Sequence, residues 1–297
     1  MNSEQMKQFE KAKQLSIENK WRDAAAIFLD LRDQVDDEKI IMGATKALYN
    51  SNQFKLAYQV AVQSAQVFAN DLDFLVQVCL KAQHFISTRA LILRYPEEVV
   101  NKLLPLVQET ESKYRQEFKA TVQNQLRAFY HLGDYPLVEQ QKRLLAADQL
   151  PLADFIVGAK FLLRDPFTQQ LVKADILNIL QQIKCQEKIA MLCIDEKEHQ
   201  VIPAKLPTAY QNSLIIECQK ILKAQLEQTD PQILRALLIQ LDLQSILLNP
   251  LIDEVITDPS EWVKVMLKRA TTGEYSSENK HIIHWQKKLN KFIDKLQ

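Results

Sequence analysis

His281 and His284 lie three positions apart beside Trp285, a spacing that places both imidazoles on one helical face, where they could begin a metal site. A metal requires three or four ligands, and no second Asp, Glu, His or Cys pair stands at a spacing that completes the set, so the pair reads as a helix surface. Asp195, Glu196, Glu198 and His199 carry groups suited to proton transfer, but they fall in a polar run between two apolar ones and read as a solvated turn. Neither a Gly-x-Ser-x-Gly elbow nor a phosphate-binding glycine loop occurs. Cys79, Cys185, Cys193 and Cys218 follow no zinc or redox spacing and read as reduced, buried small hydrophobes. The expectation is a chain without catalytic residues, bound metal or cofactor.

Any other chemistry would have to be carried on helices. In 297 residues there are 4 Gly and 10 Pro, where average usage of about 7% and about 5% gives roughly 20 and 15. That scarcity disfavours parallel α/β nucleotide folds, sandwiches and barrels, which need glycine at phosphate turns, hairpins and bulges. Lys plus Arg and Asp plus Glu both number 37, giving a net charge of zero, which argues against nucleic acid as a partner. Residues 1–20 lack the apolar core of a signal peptide, and runs such as 24–29 and 189–194 fall short of the ~20 residues that span a bilayer. A soluble, cytoplasmic protein with no membrane span is expected.

Met6, Phe9, Ala12 and Leu15 form the apolar stripe of an amphipathic helix, and 168–183, 214–226, 231–248 and 261–269 repeat the habit. Asp230-Pro231 and Asp258-Pro259 read as capped helix starts. One segment departs from this pattern. The apolar run 188–194, the polar run 195–200 and the apolar pair Val201-Ile202 before Pro203 suggest a small hairpin at 188–203, with a helix as the alternative. Toward the C-terminus, Lys287, Lys288, Lys291 and Lys295 interleave with Leu289, Ile293 and Leu296. These residues make either a basic helix for an anionic surface or, the preferred reading, a cap on the helical array, with Trp262 and Trp285 as core anchors.

A local pattern recurs along the chain. Trp21, Phe54 and Tyr135 each open a helix and are followed three positions later by Ala24, Ala57 and Val138, and a weaker copy begins at His84-Phe85. The spacing from Trp21 to Phe54 is 33 residues, against ~34 for the tetratricopeptide repeat. The chain resembles that repeat, whose second helix begins Gly-Asp-Tyr-x-x-Ala, with Ala12, Thr45 and Leu126 on the small position of the first helix. An extra helix expected at 97–108 separates the copies. The order of these pairs, then Arg164-Asp165-Pro166-Phe167-Thr168, a strand pair and Pro203-Ala204-Lys205-Leu206-Pro207, resembles an uncharacterised family of bacterial tetratricopeptide-like proteins. This resemblance implies an all-α superhelix (solenoid) with one short β-hairpin and a cytoplasmic setting. It supplies no catalytic residue. The expected organisation is a repeat region at 1–150 and a helical region at 151–297.

In such proteins the first helix of each pair lines a groove. The repeat frame puts Lys13, Lys46 and Arg127 on one groove-facing position, with Tyr49 and Tyr130 three residues on and Asn50 and Asn124 nearby. Cations beside amide donors suit carboxylates. The expected function is a non-catalytic protein- or peptide-binding scaffold whose groove reads acidic segments. The alternative is a peptide-responsive regulator that closes around a small ligand.

Overall fold

Between α1 (Ser3–Ile17) and α2 (Trp21–Gln34) the chain reverses in three residues. Asn19 there has φ 57°, and its amide donates to the Ser16 carbonyl at 3.1 Å while the Lys20 amide reaches the Leu15 carbonyl at 2.8 Å. These bonds satisfy the last carbonyls of α1 and set the reversal. Two more turns follow the same path. Asn52, φ 62°, joins α3 (Glu38–Asn50) to α4 (Phe54–Gln63), and Gln83, φ 66°, joins α5 (Leu72–Lys81) to α6 (Phe85–Ile92). Asparagine tolerates this left-handed conformation better than glutamine, so Gln83 carries the larger strain of the three. Two residues after each turn residue an aromatic opens the next helix: Trp21, Phe54 and Phe85.

Tyr135 does not share that place. It is extended (φ −116°, ψ 161°) after a 3-10 turn at His131–Asp134, and α9 starts at Leu137 (Leu137–Ala146). Pro136 is the cause, because its ring pushes the preceding residue out of the helical region. The weaker copy in sequence, at Phe85, is therefore the one that follows the backbone pattern.

The described residues are 1–275 and 277–294; Lys295 and Leu296, read above into the C-terminal helix, lie outside them. In this computed structural model the chain is all-α apart from one two-stranded sheet, with sixteen α-helices among the described residues, and it folds as two compact units. One comprises Met1–Gln123 with Asp148–Leu152, the other Asn124–Ala147 with Ala153–Gln297.

In the first unit consecutive helices from α1 to α6 pack on one another. Small or β-branched residues at recurring positions, Ala12, Thr45 and Val76 on the first helices and Ala24, Ala57 and Thr88 on the second, are all fully buried, which lets the helix axes approach closely. The extra helix is longer than its expected 97–108, running as α7 over Glu97–Glu117. Buried Arg89 binds Glu111 of α7 through two bonds, Nε to Oε1 at 2.7 Å and Nη2 to Oε2 at 2.5 Å. That bidentate geometry compensates the desolvation of both charges. Asp148, far along the chain, accepts from the Ser87 amide at 2.6 Å and the Ser87 hydroxyl at 2.9 Å at the start of α6, and contacts His84 Nδ1 at 2.6 Å. A carboxylate at a helix N-terminus satisfies an otherwise unpaired amide and complements the helix dipole.

In the second unit, α8 (Lys119–Tyr130) and α10 (Leu152–Arg164) contribute Phe129 and Phe155, stacked at 5.4 Å. Gly158 makes room: a Cβ there would stand 2.4 Å from the Phe129 ring. After α11 (Gln170–Gln182), β1 (Ile189–Leu192) pairs antiparallel with β2 (Glu198–Val201), in register Ile189↔Val201. The polar residues Glu198, His199 and Gln200 belong to the strand and not to the turn, because an edge strand can face its polar side chains outward. The turn is shorter, Cys193 to Lys197, with Glu196 at φ 69°.

The remaining helices are α12 (Ser213–Leu226), α13 (Pro231–Leu248), α14 (Ile252–Val255), α15 (Pro259–Thr272) and α16 (Lys280–Ile293). Asp230 and Asp258 accept from the Ile233 and Glu261 amides, so both Pro-started helices are capped as their sequences imply. Trp262 is fully buried, and its indole donates to Gln244 Oε1 at 3.1 Å. Gln286 Nε2 donates to the Trp262 carbonyl at 2.7 Å, and Gln240 Nε2 to Asn290 Oδ1 at 2.7 Å. The apolar face of α16, Ile282, Leu289 and Ile293, is thus buried within this unit. Trp285 is not a core anchor: it is half-buried at the edge of that face, edge-on to His281 and His284 and under the Lys288 ammonium.

Candidate functional site

The first unit holds an open hollow of about 660 Å³ lined by residues of α1, α2 and α3, with Met1 and Val67 completing its lining. Phe9 and Phe28, edge-on at 5.8 Å, form the floor, with Met6 and Met42 beside them. Gly43 decides how deep the floor lies. A Cβ at that position would meet the Phe28 ring at 2.7 Å, so the ring occupies space that any other residue would claim. Methionine supplies flexible, polarisable walls that adapt to varied apolar shapes.

Lys13 and Lys46 both stand on the rim, as do Lys39, Glu10 and Glu38. Lys13 pairs with Glu10 at 3.0 Å and lies 5.6 Å from the Phe9 ring centre; Lys46 pairs with Asp71 at 3.4 Å and lies 5.5 Å from that of Phe74. All four charged groups in these pairs are substantially exposed, so each pair contributes at most about 1 kcal/mol and can be exchanged for another carboxylate at little cost.

The other residues expected to bind a partner lie elsewhere. Tyr49 is half-buried, edge-on at 5.4 Å to both Phe54 and Phe74, which makes it a packing residue of the α3–α4 turn region; Asn50 is exposed beyond it. Asn124, Arg127 and Tyr130 belong to the second unit, on α8, with Asn124 and Arg127 exposed and Tyr130 edge-on to Phe161 at 5.1 Å. Counting back from Phe85 as from Trp21 and Phe54, the third position of the first unit is exposed Gln77.

His84, Ser87 and Asp148, residues of catalytic type, meet at the start of α6. His84 is stacked on Tyr58 at 3.6 Å, and the Ser87 hydroxyl donates to Asp148, so this Ser, His and Asp share one carboxylate and do not form a relay from serine to imidazole. The Tyr58 phenol is pushed up to about 12, chiefly by burial. At the hairpin, burial raises the Asp195 carboxyl, but hydrogen bonds from His199 at 2.7 Å and from the Lys197 amide outweigh it and hold it below the usual range. All four cysteines are buried and free, and burial lifts the thiols of Cys79, Cys193 and Cys218 to about 12. Among the described residues no group of three or more His, Cys, Asp or Glu is placed to hold a metal, and no helix is long and apolar enough to cross a membrane.

Comparison with family models, with curated proteins and with solved structures finds no match in any of the three.

Proposed function

We propose that the chain is a non-catalytic binding scaffold of tetratricopeptide-like architecture, and that the hollow of its first unit receives a peptide segment combining apolar side chains with a carboxylate. The observation that carries this reading is the placing of Lys13 and Lys46 on the rim of a concave surface floored by Phe9, Phe28 and methionines. An apolar floor supplies affinity and the rim cations orient an acidic residue. The three like turns and the recurring buried small positions support the repeat architecture. Arg127, with Asn124 and Tyr130 beside it, offers the second unit a separate cation-and-amide face of the same chemistry. Four free, buried thiols suit a reducing cytoplasm.

The test is fluorescence anisotropy with labelled peptides pairing Leu or Phe with Glu at varied spacings, against the native chain, the Lys13→Ala/Lys46→Ala double variant and Gly43→Val. Binding should weaken with the double variant and lose part of its salt dependence. It should weaken further in Gly43→Val, where the added side chain lifts the floor. Equal affinity for all three proteins refutes the hollow as the binding surface.

A further inference from the structure

A second concavity, in the other unit, has a different chemistry. It is a cavity of about 50 Å³ walled by α11, the 3-10 turn at Ala209–Gln211 and α13, and lined by Ala174, Asp175, Asn178, Tyr210, Ile246 and Asn249 among others. That space accommodates a group of a few heavy atoms. Asp175 is half-buried and makes no hydrogen bond or ion pair among the described residues. Lys173, two residues before it, turns instead to the Leu192 carbonyl of β1 at 3.4 Å. Asn249 has only 6% of its surface exposed, yet its side-chain amide also has no partner among the described residues. The Asn249 amide and the Asp175 carboxylate thus line one cavity with polar atoms that have no protein partner among the described residues and remain open to solvent, where an entering ligand can engage them.

The charges agree. Burial raises the Asp175 and Asp242 carboxyls, and the Tyr210 phenol is pushed up by burial and then by the negative charges of Asp242 and Asp175. Asp242 has the Gln219 amide at 3.3 Å and, like Asp175, no ion pair among the described residues. Two carboxylates near one phenol thus lack a cation. Divalent metals prefer several carboxylates and a larger oxygen shell than Asp175, the one carboxylate in the cavity lining, provides with its neighbouring amides. A guanidinium is planar and wants a carboxylate in bidentate reach, whereas an ammonium presents three donors to scattered oxygens.

We propose that this cavity binds a primary ammonium group, with the Asp175 carboxylate as counter-ion, the Asn178 and Asn249 side-chain oxygens as further acceptors and the Tyr210 ring at the mouth. The source is either a free small amine or a lysine side chain, and the two share the same recognised head.

The experiment is a titration of the uniformly ¹⁵N-labelled full chain, read by amide chemical shifts, with methylammonium chloride and with Nα-acetyl-lysine methylamide. Potassium chloride and tetramethylammonium chloride at matched ionic strength are the references. Saturable shifts at 174–178, 209–210 and 246–249 are expected with an affinity on the order of millimolar for so small a probe. Asp175→Asn should weaken binding by about tenfold or more, as loss of a charged partner does. Tyr210→Ala, at a half-exposed site, should weaken it by a few-fold. A response to methylammonium alone assigns a free amine, and a response to both assigns a cavity that a lysine side chain can enter. Potassium acting as strongly as methylammonium, shifts that never saturate, or affinity unchanged in both variants overturns the proposal.

Discussion

The two units solve the same packing problem with different means. The first repeats one three-residue reversal and fills the recurring contact positions with Ala, Thr and Val. The second buries amides: Gln244, Gln286 and Asn290 bridge α13, α15 and α16 across 18 to 50 residues of chain. Short-range packing tolerates the loss of one contact, because neighbours repeat it. A buried polar network does not, since removing one member strands the rest. Apart from the buried Arg89–Glu111 pair, sensitivity to substitution should therefore be spread thinly in the first unit and concentrated at a few side chains in the second.

Trp262→Ala is the strongest test. Removing a fully buried indole should cost about 3–5 kcal/mol by cavity formation, and it leaves Gln244 Oε1 without its donor. Denaturant titration checks this, and a loss under about 1.5 kcal/mol would show the network to be redundant after all. Alkaline pH acts on both units at once. Thiols raised from an ordinary 9.0 to about 12 favour the folded state fully below pH 9, and that contribution is lost as pH climbs toward 12. Melting temperature should fall across that window, and less steeply in Cys218→Ala.

Smaller effects separate the units more finely. Gly158→Ala drives a methyl into Phe129, which is held against Phe155, and should cost ~1–3 kcal/mol despite the gain in helix propensity. Gly43→Ala meets Phe28 in the same way, but that ring borders an open hollow into which it can shift, so the cost should be clearly lower. Equal losses in the two variants would erase the distinction. Ala24→Leu overpacks a helix contact and should likewise cost ~1–3 kcal/mol; an unchanged midpoint would mean the position is not a tight crossing. Asn52→Gly should stabilise by a few tenths to about 1 kcal/mol, since glycine enters the left-handed region freely. Lys13→Ala with Lys46→Ala should change stability least, by under about 1 kcal/mol, because both ion pairs are exposed.

What could be read beforehand is what depends on neighbours in sequence. Asp230-Pro231 and Asp258-Pro259 announce their caps, and Trp21 and Phe54 announce the helices they open, because each signal lies within one turn of its effect. Tyr135 misled because Pro136 overrides an aromatic match. Glu198 misled because polarity marks exposure, and an exposed strand edge is as polar as a turn. The hollow was legible only at Lys13 and Lys46; Met6, Met42 and Gly43 carry no directional signature, and their convergence depends on helix crossings that no spacing encodes. The tie from Asp148 to His84 spans 64 positions and was beyond reach for the same reason.

The like turns at Asn19, Asn52 and Gln83 have a consequence for how such a chain changes length. Segments of 33 and 31 residues run between corresponding points of one backbone path. A stretch cut at two such points can be duplicated, deleted or exchanged with both splices falling on matched geometry, so that growth proceeds in whole hairpins. An insertion of a few residues within a helix would instead carry the buried small residues beyond it to the wrong helical face, and their contacts would have to be rebuilt.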